Sequence, residues 1–277
     1  MPDSGIAFQI GSITIRWYGL LIASGIALGF FLTYKEAKRQ HLNTDELANI
    51  LLLILPIGII GARLYYVACN MGYYGQHPWQ IFQIWRGGLA IHGAIIAAVL
   101  TGILYAWGKK LNFFRWADLL IPAVSLAQAI GRWGNFFNQE AYGYPTTVPW
   151  AMYIAGAYRH PTFLYESIWD IVVFIILYKL LHREHKIGSV FASYLILYSI
   201  GRFFIEMLRT DSLMFGPFRA AMLISGIGVL VGVFILSRIR KNPVVDVAKI
   251  QPAPIAVMPK RKKTNKTTKT DYMKKRG

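Results

Sequence analysis

The sequence predicts an all-α membrane protein, a polytopic bundle of about seven transmembrane helices with the N-terminus outside and the C-terminus cytoplasmic. Three observations predict it. The chain of 277 residues is 55% hydrophobic and only 16% charged, with a mean hydropathy of +0.40, too apolar for a soluble domain of this length. Its apolar residues gather in repeated runs of ~18–20, the length that crosses a ~30 Å hydrocarbon core. Basic and nearly uncharged loops alternate between those runs. A β-barrel of the outer membrane would show short alternating segments instead.

The runs are 17–34, 47–69, 88–107, 117–134, 163–181, 188–208 and 217–237. The fourth is the least apolar, because it holds Asp118, Gln128 and Arg132. Between the second and third, the loop 70–87 carries HPWQIFQIW. That is long enough for a short interfacial helix, and Trp79 and Trp85 suit a headgroup boundary. Lys35, Lys38 and Arg39 follow the first run, and Lys109, Lys110 and Arg115 the third. Arg183 and Lys186 follow the fifth, and Arg238, Arg240 and Lys241 the seventh. Positive charge stays on the cytoplasmic side, which sets the orientation. Gly25 with Gly29, and Gly228 with Gly232, are GxxxG pairs that let helices approach closely, here read as packing within the bundle.

The chain therefore divides into a transmembrane bundle, 1–237, and a basic tail, 238–277, expected to be disordered. Such a tail is drawn to anionic membrane lipids or serves only as a topology anchor. Much of the formal charge of +17 lies in this tail and in short loops, so it marks no nucleic-acid partner. Cys69 is the single cysteine. It allows no internal disulfide and is read as a packing residue. The N-terminus has no cleaved signal peptide pattern. No internal repeat, P-loop, G-x-S-x-G elbow or metal-ligand spacing is visible.

Polar residues converge at one depth. Residues 131–143 read GRWGNFFNQEAYG where the fourth run passes into a loop. Tyr198, Arg202, Glu206 and Arg209 lie on one stripe of the sixth run. Arg202 lies ~14 residues beyond Gly188, ~21 Å along a ~30 Å core, and so in its outer part. Arg63, Arg132, Asn135, His92 and Tyr18 fall near the same level. Intramembrane charge of this kind is costly unless paired or functional. A guanidinium stays ionised and forks two donors toward phosphate or carboxylate. Arg132 and Arg202 are thus candidates to clamp a lipid phosphodiester, with structural pairing to Glu140, Glu166 and Glu206 as the alternative. For Arg63 and Arg209 the two readings stand level. His92 is either a hydrogen-bonded packing residue or a proton acceptor. A lipid or organic-anion transporter using the same arginines is the competing function, but it needs polar lining through to the cytoplasmic face, where these runs are nearly all apolar.

GRWGNFFNQEAYG resembles the signature of the bacterial prolipoprotein diacylglyceryl transferases, over Gly131, Arg132, Asn135, Phe136, Asn138, Glu140 and Gly143. RWYGLL at 16–21, GARLYY at 61–66, GGLAIHGA at 87–94, HPTFLYE at 160–166 and YSIGRFFIEMLR at 198–209 are similar to the same family, in matching order. The resemblance implies transfer of the diacylglyceryl group of phosphatidylglycerol to the lipobox cysteine thiol of a preprolipoprotein signal peptide, with release of glycerol phosphate. It implies a multi-pass protein of the bacterial cytoplasmic membrane, with its site toward the outer leaflet and no metal or organic cofactor. It casts Arg132 and Arg202 on the phosphate, and Asn135 and Glu140 as orienting the first arginine and the headgroup. His92 becomes the leading base, with Tyr198 its rival, and Tyr18 a lining residue. Glu206 holds Arg202 or Arg209, and Gly143 shapes the backbone.

Overall fold

The structure, a computed structural model, describes residues 5–11 and 13–245. A hairpin of β1 (Ile6–Ile10) and β2 (Ile13–Arg16) leads into α1 (Trp17–Arg39). Then come α2 (Thr44–Cys69), a single turn α3 (Met71–Tyr74), α4 (Ile91–Gly108) and α5 (Phe113–Phe137). A hairpin of β3 (Met152–Ile154) and β4 (Ala157–Arg159) precedes α6 (Thr162–Leu181). β5 (His185–Lys186), α7 (Ser189–Glu206), the hairpin β6 (Met214–Phe215) and β7 (Phe218–Arg219), α8 (Ala220–Arg238) and β8 (Val244–Val245) complete the chain. Among the described residues, α1, α2, α4, α5, α7 and α8 are long and apolar enough to cross a membrane. The 20-residue α6 carries Glu166, Asp170 and Lys179, and packs between α5 and α7.

Two helices start where a polar side chain caps their first amides. Asn43 accepts from the Asp45 amide at 2.9 Å before α2, and Asn112 from the Arg115 amide at 3.1 Å before α5. Asp45 and Glu46 in the first turn of α2 also favour its dipole. α7 is capped from outside itself. The buried carboxylate of Asp118, on α5, accepts from the amides of Gly188 at 2.6 Å and Phe191 at 2.7 Å. Gly188, at φ +96°, takes the left-handed turn that aims those amides.

α5 stands at the centre and packs against α1, α6 and α7, which explains its polar content. Its polar residues find partners in neighbouring helices rather than lipid. Small residues set the approaches, as expected for helices with little hydrophobic drive to associate within lipid. Gly25 and Gly29 of α1 meet Ala127 and Ala123 of α5, and Gly228 and Gly232 of α8 meet Ser199 and Ala192 of α7. Both GxxxG pairs therefore pack inside the bundle. Side chains such as Leu52, Leu104 and Leu230 point outward and are mostly exposed.

Boundaries differ from the hydropathic runs for physical reasons. α1 continues through Lys35, Lys38 and Arg39, and α5 begins at Phe113, because helical hydrogen bonding persists through charged interfacial turns that hydropathy rejects. α4 starts only at Ile91, since Gly87 and Gly88 take φ of +86° and +70°. The loop 70–87 forms α3 and two 3₁₀ turns, with Trp79 and Trp85 exposed. Beyond 238 the described chain makes a further 3₁₀ turn, and β8 pairs with β5. The expected tail from 246 onward lies outside the described residues.

Candidate active site

Arg132 and Arg202 reach one point through fixed contacts among α5, α6 and α7. Buried hydroxyls lock α5 to α6: Ser125 donates to the Asp170 carbonyl at 2.8 Å, and Ser167 to the Ala129 carbonyl at 2.9 Å. The Trp169 indole donates to the Leu197 carbonyl at 2.9 Å and so ties α6 to α7. These bonds set helix rotation, and rotation decides which side chains meet.

At the meeting point stands Glu166. Its Oε2 lies 2.8 Å from Arg132 Nε, while its Oε1 pairs with Arg202 Nη1 and lies 3.5 Å from Arg209 Nη1. Glu206 Oε2 is 2.6 Å from Arg202 Nη2 and 3.8 Å from Arg209 Nε. Asp170 Oδ2 sits 3.9 Å from Arg132 Nε. Arg132 Nη2 donates to the Tyr198 hydroxyl at 3.3 Å, and the Tyr198 ring stacks on Tyr194. Glu166, Asp170 and Glu206 are almost wholly buried. Arg132, Glu166, Trp169, Asp170, Tyr198, Arg202 and Ile205 line a cavity of about 10 Å³. The arrangement holds two ionised forks around one anion, here the Glu166 carboxylate, in a place shielded from water where such contacts count for more.

Residues 138–143 form the adjoining rim. The amides of Asn135 and Asn138 donate to Glu140 Oε1 at 3.0 and 3.1 Å. No ion pair joins Glu140 to Arg132, so the partners that orient this arginine are Glu166 and Asp170, from a different helix. Gln139 and Ala141, on either side of Glu140, take φ of 52° and 55°. The Gln139 side chain supports its turn by donating to the Phe136 carbonyl and accepting from the Ala155 amide. The Gly143 amide donates to the His160 carbonyl at 3.0 Å. A Cβ on Gly143 would fall 2.7 Å from His160 Cβ and 2.9 Å from the Leu208 carbonyl. Gly143 thus allows close approach of the segments that carry His160 and Leu208. Tyr18 lies with its ring against Gly134, two residues from Arg132.

Two sequence candidates lie elsewhere. His92, at the start of α4, is exposed and faces Tyr65 across 6.0 Å. Among the described residues, no hydrogen bond or ion pair links it to Arg132 or Arg202. The reason is topological: α4 pairs chiefly with α2, whereas the arginines sit on α5 and α7. Arg63 is buried and spends its donors on the loop after α3, reaching the carbonyls of Gln80, Ile81, Gly87 and Gly88. It staples that loop and has no fork left for a ligand. Cys69 is exposed at the end of α2 rather than packed.

Sequence reasoning weighed Glu166 only as a counter-ion and passed over Asp170. Their signal was present: two carboxylates at i and i+4 within an otherwise apolar run share one helix face.

The profile of the family described as prolipoprotein diacylglyceryl transferase matches residues 5–238. The chain is 51% identical over 242 residues to the phosphatidylglycerol–prolipoprotein diacylglyceryl transferase of Clostridioides difficile, covering 86% of this chain and 97% of that protein. It is 49% identical over 241 residues to the protein of the same name from Clostridium novyi, covering 83% and 94%. With that of Listeria innocua the identity is 43% over 256 residues, covering 87% and 92%.

Proposed function

We infer the working of this site from one premise: the chain belongs to the prolipoprotein diacylglyceryl transferase family. Its reaction is transfer of the diacylglyceryl group from phosphatidylglycerol to a prolipoprotein, the first step of lipoprotein maturation in bacteria. The transporter alternative draws no support, since these relatives are all named as transferases.

In the reaction proposed for this site, the acceptor is the lipobox cysteine of the preprolipoprotein signal peptide. Its sulfur attacks the glyceryl carbon that bears the phosphodiester oxygen. That carbon–oxygen bond breaks, a carbon–sulfur bond forms, and glycerol phosphate departs. The thiol proton offsets the second negative charge that the phosphate gains. Arg132 and Arg202 hold the phosphate, and they stabilise that growing charge more strongly in the transition state than in the bound lipid. The single observation that supports this is the convergence of guanidinium groups from α5 and α7 within one buried cluster. For the proton, the Tyr198 hydroxyl stands beside Arg132 and is favoured over His92. Tyr18, Asn135, Glu140 and Gly143 shape the approach of the headgroup.

The N-terminus is placed outside and the C-terminus in the cytoplasm, with the site toward the outer leaflet of the bacterial cytoplasmic membrane. Supporting this, the basic ends of the helices share one end of the bundle. There Lys109 pairs with Glu46 at 3.6 Å, and His182 approaches Glu36 at 3.6 Å. The arginine cluster lies at the opposite end, where the positive-inside rule puts the exterior. The basic tail, 238–277, would meet anionic lipids of the inner surface.

The test is direct. Purified protein in detergent, given phosphatidylglycerol and a lipobox peptide, is expected to raise the peptide's mass by one diacylglyceryl unit. An unchanged peptide mass with intact lipid and folded protein overturns the reading.

A further inference from the structure

The clamp is already occupied by the protein itself. We propose that Glu166 is a stand-in for the lipid phosphate: its carboxylate holds the guanidinium nitrogens that the phosphodiester must take, and lipid binding exchanges one anion for the other. This rests on the reading of Arg132 and Arg202 as the phosphate clamp.

Shape is the first argument. A carboxylate and a phosphodiester each present two oxygens that share one negative charge. Glu166 uses both oxygens as a bound phosphodiester would, one on Arg132 and the other on Arg202.

Charge is the second. The cluster sets Arg132, Arg202 and Arg209 against Glu166, Asp170, Glu206 and Asp211. Neither guanidinium of the clamp is free of a carboxylate, so a further anion has to displace one of them. Room is the third. The cavity of about 10 Å³ beside Glu166 holds about one water molecule. That space is too small for a phosphate alongside the carboxylate, so the two compete for the same guanidinium nitrogens.

Of the four carboxylates, only Glu166 touches both arginines of the clamp. Asp170 stands 3.9 Å from Arg132, Glu206 pairs with Arg202 and Arg209, and Asp211 accepts a two-point contact from Arg209 on an exposed loop. Glu166 also has somewhere to go. Arg209 Nη1 already waits 3.5 Å from its Oε1 and receives the displaced charge. Glu166 is accordingly a positioning residue. It keeps both forks aligned before the lipid arrives, and it sets how tightly the headgroup is held by competing with it.

The decisive experiment uses the full chain in detergent with phosphatidylglycerol and a saturating lipobox peptide. Glu166→Gln removes the competing charge and keeps the shape. KM for phosphatidylglycerol is expected to fall about tenfold, the scale of one charge-assisted contact. The inhibition constant of glycerol phosphate, which carries the phosphate without acyl chains, falls by a similar factor. kcat falls as well, because the two arginines lose the bridge that aligns them. A residue that only ordered the arginines would lower kcat and leave KM and the inhibition constant unchanged or raised; that result overturns the exchange. Should Glu166→Gln not fold, Glu166→Asp draws the carboxylate back by one methylene. It is expected to lower KM in the same direction, and an unchanged KM counts equally against the proposal. Failure of the clamp looks different: Arg132→Ala and Arg202→Ala would then turn over like the unmodified protein.

Discussion

Replacing Arg202 by lysine separates charge from geometry. The Arg202 guanidinium serves two buried carboxylates at once, Glu166 through Nη1 and Glu206 through Nη2 at 2.6 Å. A lysine keeps the charge but brings a single nitrogen, which cannot span both positions. One buried carboxylate then loses a charge-assisted donor, a cost of about 1.5–3 kcal/mol. Catalysis should suffer separately. A lost transition-state donor typically lowers turnover by ~10²–10³-fold. Arg202→Lys is therefore expected near the lower figure and Arg202→Ala near the upper, both as a fall in kcat. The assay is the mass shift of a lipobox peptide with phosphatidylglycerol in detergent, read as initial rate, with Tm measured on the same samples. Arg202→Lys within about threefold of the unmodified rate, at unchanged Tm, would show that fork geometry is irrelevant and refute the reasoning.

Other consequences follow from the same contacts. Gly143→Ala places a methyl group 2.7 Å from His160 Cβ and 2.9 Å from the Leu208 carbonyl. It should destabilise by about 1–3 kcal/mol and cut turnover more than tenfold by displacing the rim, as thermal melting and the peptide assay together reveal. Asp118→Ala leaves the Gly188 and Phe191 amides without their acceptor. At about 1–3 kcal/mol per stranded donor, the loss is expected to reach about 2–6 kcal/mol, whereas Asp118→Asn retains part of the cap. His185, at the basic end, has its pKa lowered, by burial first and by Arg115 further, with its contact to the Arg183 carbonyl and Glu36 opposing. The folded state thus binds fewer protons than the unfolded state, and stability falls as pH drops through the ordinary histidine value of ~6.5. Melting between pH 7.5 and 5.5 should lose part of that slope in His185→Asn.

Much of the candidate site was legible before any fold was known. An arginine within a run that otherwise reads as lipid-soluble demands an explanation, and Arg132 and Arg202 attracted attention for that reason. The spacing of Tyr198, Arg202 and Glu206 already placed them on one helix face, and the Arg202–Glu206 pair realises it at 2.6 Å. Glu140 lies near Arg132 in sequence but forms no ion pair with it. Its exposed carboxylate takes the two neighbouring asparagine amides instead. The sequence puts His92 at the level of the arginines, but it sits on a helix paired elsewhere. Depth along the membrane normal can be counted from residue number. Position around the bundle cannot.

The sequence by itself determined the membrane class and the family, because these depend on composition, run length and motif order. Tertiary structure alone decided which charge answers which. Arg63 turned to a loop, Asp118 to the amides that open α7, and Glu166 to three arginines at once. The physical reason is rotation. Apolar periodicity is weak in helices surrounded by lipid or by other apolar helices, so it does not fix which face turns inward. That choice is made by small-residue contacts and a few buried hydroxyl bonds between helices far apart in the chain.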